Sequence, residues 1–217
     1  FGSLVIPFGA PEPVLEEVKK ATKKIVALGL KPLMLGGEHS ISSGALSVLT
    51  QNYPNLVLVQ LDAHADLRDE WLGTKHSHAC AMRRCLEVLP SKNLLQLAIR
   101  SGTKREFDEI KREKRLISHR PGEKANELAK ALTPHLGRPI YLTIDLDWFD
   151  PSVMPGTGTP EPGGFFWQDF AAVMDILQNH QLVAADVVEL SPQLDPSGIS
   201  SVLGAKVTRS LIMLLSH

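Results

Sequence analysis

The chain has 217 residues, 43% of them hydrophobic, which is enough to bury the core of one domain. With 23 basic and 24 acidic residues its net charge is −1, so no overall field recruits nucleic acid, an anionic membrane or a strongly charged partner, and a small-molecule substrate fits better. No apolar run approaches the roughly 18 residues of a membrane span and the start does not read as a signal peptide. Cys80 and Cys85 lack metal-site spacing and read as reduced thiols, so a cytoplasmic protein is expected.

In chain order, the apolar positions Val14, Leu15, Val18, Ala21, Ile25 and Val26 recur every three or four residues, predicting a helix over 13–28 that Gly29 stops. A short apolar segment at 32–35 precedes Gly36-Gly37, and a helix is expected to begin near Ser40. This strand, turn, helix pattern recurs, with strands at 55–61, 94–99, 140–144 and 182–190. The helices between them are expected at 78–88, 103–113, 123–132, 168–178 and 199–214. Apolar strands alternating with helices predict an α/β fold, a three-layer α-β-α arrangement around a mostly parallel sheet. In such sheets ligands bind beyond the carboxyl ends of the strands. The run 153–164, rich in Pro, Gly and Thr, reads as a rigid loop. Basic residues are dense over 104–120 but interleave with Glu106, Asp108, Glu109 and Glu113, which predicts a solvated helix face.

Chemistry concentrates at three predicted strand ends. The second strand runs into Asp62-Ala63-His64-Ala65-Asp66, which in an extended chain would point three ligands to one side. A later strand ends in Asp145-Leu146-Asp147, and the first in Gly36-Gly37-Glu38-His39. His39, Asp62, His64, Asp66, Asp145 and Asp147 form an oxygen-rich set that suits two Mn²⁺ ions better than thiolate-bound zinc. Several uncompensated charges at buried strand ends would be costly, and shared ions offset that cost. Two divalent ions and four carboxylates cancel, so the cage tolerates a cationic substrate.

The segments Gly36-Gly37-Glu38-His39-Ser40, Asp62-Ala63-His64-Ala65-Asp66, Asp145-Leu146-Asp147 with Asp150-Pro151, the run 156–164 and Val188-Glu189-Leu190-Ser191-Pro192 resemble the ureohydrolase family of arginases and agmatinases. The stretches 155–162 and 77–84 are more similar to agmatinases, and no arginase-like polar stretch for gripping an amino acid head stands near His78. Glu38 departs from the Asp of many relatives. The resemblance implies one arginase-like domain over 1–217, lacking the family's usual N-terminal region, and assembly as a homo-trimer or hexamer.

It also implies hydrolysis of a guanidinium to urea and an amine, and its agmatinase-like stretches point to agmatine giving putrescine. Asp62 and Asp145 would bridge two ions, with His39 and Asp66 completing one site and His64 and Asp147 the other; Asp66 would also orient the attacking water. His78 is the candidate proton donor to the leaving amine, with His76 as fallback. Glu189 is expected to accept paired hydrogen bonds from the guanidinium. Residues 156–164 are expected to shape the pocket floor. His119, His135, His180 and His217 are read as structural or exposed. The alternatives are arginine, guanidinobutyrate or another guanidino substrate, a single-zinc deacetylase of related fold, and a silent relative acting as a binding subunit.

Overall fold

The computed structural model describes residues 2–7, 9–123 and 125–216; His217 lies outside them. Six strands form one sheet: β1 (Leu33–Leu35), β2 (Val57–Leu61), β3 (Leu94–Leu97), β4 (Leu116–Ile117), β5 (Pro139–Asp145) and β6 (Gln181–Val188). Their order is β1-β6-β5-β2-β3-β4, and every pairing among them is parallel. On one face lie α1 (Pro11–Ala27), α2 (Ile41–Asn52), α3 (Ala81–Cys85) and α4 (Lys104–Arg112), with α1 reaching the sheet's cluster through Val18. On the other lie α5 (Asn126–Leu132), α6 (Trp167–Leu177) and α7 (Ile199–Leu215). This is the expected three-layer arrangement. From β2 the chain moves outward through β3 to β4, then returns to β2's other side as β5 and continues to β6. The β2–β5 boundary is therefore a topological switch point, where a doubly wound sheet opens a crevice.

Helices covering both faces explain why β2 is buried at every position. One departure from the apolar reading lies inside the strands. Asp186, Thr143, Gln60 and Gln96 occupy matched positions on β6, β5, β2 and β3, each fully buried, so a polar row crosses the sheet. It is hydrogen-bonded within itself, from Gln96 Nε2 to Gln60 Oε1 at 2.7 Å and from Thr143 Oγ1 to Asp186 Oδ1 at 2.7 Å. Buried polar groups are tolerated on those terms.

Other elements differ from expectation in their extent. α1 starts at Pro11, because Pro11 and Pro13 both fit a first turn whose N–H groups need no partner. The helix expected over 78–88 is a 3₁₀ turn, His78–Cys80, followed by the short α3. The edge strand β4 has only two residues and gave no periodic signal. The basic stretch is not all solvated: α4 exposes Lys104, but Arg115 beyond it is 2% exposed and pairs with Glu109 at 2.8 Å.

The loop 150–164 is pinned to the segment that follows β5. Phe165 N–H donates to Trp148 O at 3.2 Å and Asp150 N–H to Phe165 O at 3.0 Å, while Asp150 Oδ2 accepts from the N–H groups of Gly163 and Gly164 at 3.1 Å each. Gly164 is required by this closeness, since a Cβ there would stand 2.4 Å from Asp150 N and 2.5 Å from Phe149 C. Backbone cannot yield as a flexible side chain can. Gly164→Ala is expected to lower stability by about 1–3 kcal/mol or more, read as a fall in the urea midpoint; an unchanged midpoint would show that the loop is not pinned.

Candidate metal centre

None of the three ligand segments reaches the site by simple strand alternation. β2 stops at Leu61, and Asp62 immediately caps the turn that follows, its Oδ1 accepting from His64 N–H at 2.6 Å and its Oδ2 from Gln60 Nε2 at 2.6 Å. The loop after β3 then lines up with it: Arg100 and Ser101 N–H both donate to Ala63 O, and Ala65 N–H to Ser101 O. Asp66 turns into the left-handed region, φ 53°, a conformation that costs a non-glycine residue energy unless its surroundings impose it. They do so here. Leu67 N–H donates to the buried Glu106 at 2.9 Å, Arg83 N–H to Asp66 O at 3.1 Å, and the Arg83 guanidinium to Leu67 O.

Asp145 closes β5 and caps the 3₁₀ turn Leu146–Trp148, its Oδ1 accepting from Asp147 N–H at 2.9 Å. That turn, rather than an extended chain, brings Asp147 in, with Ala63 N–H donating to its Oδ1 at 3.1 Å and the Thr159 hydroxyl to its Oδ2 at 3.2 Å. After β1, Gly36 and Gly37 are both left-handed (φ 84° and 78°), reversing the chain beside β6. Glu189, itself at φ 64°, donates its N–H to Gly37 O at 3.1 Å and accepts from His39 N–H at 2.8 Å. The carboxylate expected to meet substrate thus also anchors the segment carrying His39.

The side chains converge as two groups that share Asp62. His39 Nδ1 lies 2.9 Å from Asp66 Oδ2, 3.0 Å from Asp62 Oδ2 and 3.4 Å from Asp145 Oδ2. His64 Nδ1 lies 2.8 Å from Asp147 Oδ2 and 3.7 Å from Asp62 Oδ1. Each of the sets His39, Asp62, Asp145 and Asp62, His64, Asp147 could hold an ion. Asp62 turns one oxygen to each set, whereas Asp145 faces the first with Oδ2 and gives Oδ1 to the backbone of Asp147. The fit to a metal is carried by His39. Its Nδ1 is buried among three carboxylate oxygens yet makes no hydrogen bond, while Nε2 is 2.9 Å from Thr143 Oγ1. A ring anchored through one nitrogen, with the other aimed among acidic oxygens, is oriented as a metal ligand.

The electrostatics show what an ion would relieve. Burial and the neighbouring Asp62 charge push Asp66 up to about 7. Burial, then Asp147 and Asp62, push Asp145 well above the carboxylate range, and burial with Asp62 raises Asp147. Burial opposes charge on the imidazoles, but the carboxylates win: His39 is raised well above its ordinary value and His64 to about 11. Without cations these groups hold protons that divalent ions would replace.

Beside this cage lies a cleft of about 290 Å³ lined by His64, Asp66, Arg68, His78 and Thr159 among others. His78 faces it, whereas His76 turns toward α1, its Nε2 3.9 Å from Glu12. His119 and His135 are buried, His119 stacked on Phe165. Cys80 and Cys85 are free and buried. Several supporting residues gave no sequence signal. Arg100 donates to the carbonyls of Asp147, Trp148, Glu161 and Pro162, tying the loop 150–164 to the cage. Gln60 and Thr143 hold Asp62 and His39 from below. An isolated Gln or Thr in an apolar strand is the only trace they leave.

Fold and site together define an α/β protein with a parallel sheet that gathers candidate metal-binding side chains at the sheet's carboxyl edge. The arginase-family sequence model matches residues 1–214, and the chain belongs to that family as an agmatinase-like hydrolase. Members act on guanidino compounds through a pair of metal ions. The chain is 34% identical to the agmatinase of Bacillus subtilis over 214 residues, covering 98% of this chain and 73% of that one. It is 30% identical to the guanidinobutyrase of Pseudomonas aeruginosa over 210 residues, covering 91% and 65%. The solved agmatine ureohydrolase of Thermoplasma volcanium superposes with a TM-score of 0.79 at 31% identity, covering 95% and 70%.

A protonated Asp66 must lose its proton to bind an ion, so metal binding is expected to release protons and strengthen from pH 6 to pH 8. In the metal-free protein the same raised value means that stability falls as pH rises from the ordinary carboxylate range to about 7, a loss that an ion offsets. The thermal shift on adding Mn²⁺ is therefore expected to be larger at pH 8 than at pH 6. An equal shift at both would show that Asp66 is ionised throughout. Asp62→Ala is expected to abolish loading of both ions, measured by elemental analysis; retention of one full equivalent would remove Asp62 from one of the two sets.

Proposed function

We propose that the chain is a dinuclear manganese hydrolase that converts agmatine to urea and putrescine, working in the cytoplasm as a homo-trimer or hexamer. The observation that carries the metal reading is Asp62, whose two oxygens face different imidazoles. Four carboxylates with two imidazoles form a hard donor set that suits Mn²⁺. Exposed apolar side chains along α7, among them Val202, Ile212 and Met213, support assembly.

Divalent ions held by His39, Asp62, His64, Asp66, Asp145 and Asp147 would acidify a water and so supply a nucleophile near neutral pH. The chain's own residues do the rest. Glu189 receives the guanidinium, and Asp66 orients the water for attack on its carbon. Burial holds Glu189 above the usual carboxylate range, and a bound guanidinium offsets that cost. As the carbon becomes tetrahedral, its bond to the alkyl nitrogen must break, and His78 protonates that nitrogen. His78 is raised above an ordinary imidazole first by its hydrogen bond with Glu38, then by the nearby charges of Glu189, Glu38 and Asp66, against burial. The shift favours the protonated ring that a proton donor needs.

Agmatine is favoured over arginine because no arginase-like stretch for gripping an α-carboxylate stands near His78. One observation supports a second reading. Arg68 lines the cleft with its guanidinium 3.8 Å over the Trp71 ring, and a cation there suits a substrate ending in a carboxylate, such as the compound for which the Pseudomonas relative is named.

Urea release by the Mn²⁺-loaded protein decides between them when agmatine, arginine and guanidinobutyrate are assayed side by side. Agmatine is expected to give the highest kcat/KM. If guanidinobutyrate leads and Arg68→Ala erases its advantage, the second reading replaces the first, and silence on all three removes the enzymatic reading. His78→Ala is expected to lower kcat by about 10²–10⁴-fold with both metals retained; unchanged turnover would assign the proton to another group.

A further inference from the structure

The side chain of Glu38 does something its neighbours in sequence do not. It leaves the His39 segment and crosses to the start of the turn His78–Cys80. There Oε2 accepts from the His78 main-chain N–H at 2.8 Å and lies 3.1 Å from His78 Nδ1, while Oε1 takes the Ser40 hydroxyl. Both carboxylate oxygens are committed. Glu189, anchored to His39 N–H, belongs to the same cluster.

We infer that Glu38 is the positioning residue for His78: it holds the main chain and ring of the same residue, keeps a proton on Nδ1 whether the ring is neutral or charged, and so leaves Nε2 as the nitrogen that takes up and gives the catalytic proton. The inference rests on His78 being the proton donor for its kinetic consequences, but the tautomer stands on geometry alone. A carboxylate accepts and does not donate, so the ring nitrogen beside it must bear the proton. The ring is 43% exposed and has no other side-chain hydrogen bond among the described residues. Packing alone does not hold it. The main-chain bond matters as much, because it fixes the base of the side chain while the Nδ1 bond fixes its rotation. Both Glu38 oxygens are spent on His78 and Ser40, and so it acts through His78.

The test is a double-mutant cycle in the Mn²⁺-loaded protein, with agmatine as substrate. Glu38→Ala is expected to lower kcat about 10- to 100-fold, the scale of a misplaced group, with KM within about threefold of the parent and metal content unchanged. Glu38→Asp is expected to recover part of the loss. In a His78→Ala background Glu38→Ala is expected to add nothing, because residues acting as a unit are not additive. Additive losses, a KM effect alone, or loss of metal in both Glu38→Ala and the isosteric Glu38→Gln would overturn the inference.

A second arm needs no activity. Long-range ¹H–¹⁵N spectra of the protein loaded with diamagnetic Mg²⁺ are expected to show a proton on His78 Nδ1, replaced in Glu38→Ala by exchange between tautomers. A proton on Nε2 alone in the parent would sink the clamp. If the parent hydrolyses no guanidino compound, the functional reading fails and this arm still decides the clamp.

Discussion

Four buried carboxylates meet at the carboxyl edge of the sheet, and everything around them is organised by the cost of that meeting. An isolated buried carboxylate protonates rather than stays charged. Here the burden is spread unevenly: Asp62, engaged by both imidazoles, is held low, and Asp66, Asp145 and Asp147 are driven up. The arrangement makes physical sense as a receptacle for positive charge. A sheet that merely needed to be stable would not place these groups together.

The receptacle is held by the backbone on one side and by the sheet interior on the other. Asp62 and Asp145 each cap the turn that delivers the next ligand, so one side chain both serves the site and builds the loop. Below them, the polar row Asp186, Thr143, Gln60 and Gln96 supplies donors and acceptors that fix His39 and Asp62. Tyr141 adds a hydrogen bond to Asp186 from the same face. Ligands oriented from a second layer keep their geometry when the ion's own pull is absent.

The two left-handed acidic residues, Asp66 and Glu189, show where local preference gave way. Neither is a glycine, and each is trapped by bonds from distant elements: Asp66 by Glu106 and Arg83, Glu189 by the Gly37 carbonyl and the His39 N–H. Strain of that kind persists only where the surroundings over-determine it. It aims one carboxylate at the metal cage and places another next to His78 and Glu38.

The alternation of apolar strands with amphipathic helices was enough to determine the three-layer parallel α/β fold. Residue type and strand-end position singled out His39, Asp62, His64, Asp66, Asp145 and Asp147 as candidate ligands, and the fold brings these side chains together. Both signals are local, because burial on two faces and the cost of clustered charge are written into consecutive residues. What the sequence could not carry was direction. Alternation suggested that 62–66 runs extended, but the β2 strand ends at Leu61, and Asp66 and Asp147 arrive through a left-handed turn and a 3₁₀ turn. The choice between His76 and His78 as the cleft histidine, the reach of Glu38 to the far turn, and the Arg100 anchor on four carbonyls all depend on segments 40 to 64 residues apart being brought side by side. Such pairings are set by the order of strands in the sheet. No periodicity within a single segment records them.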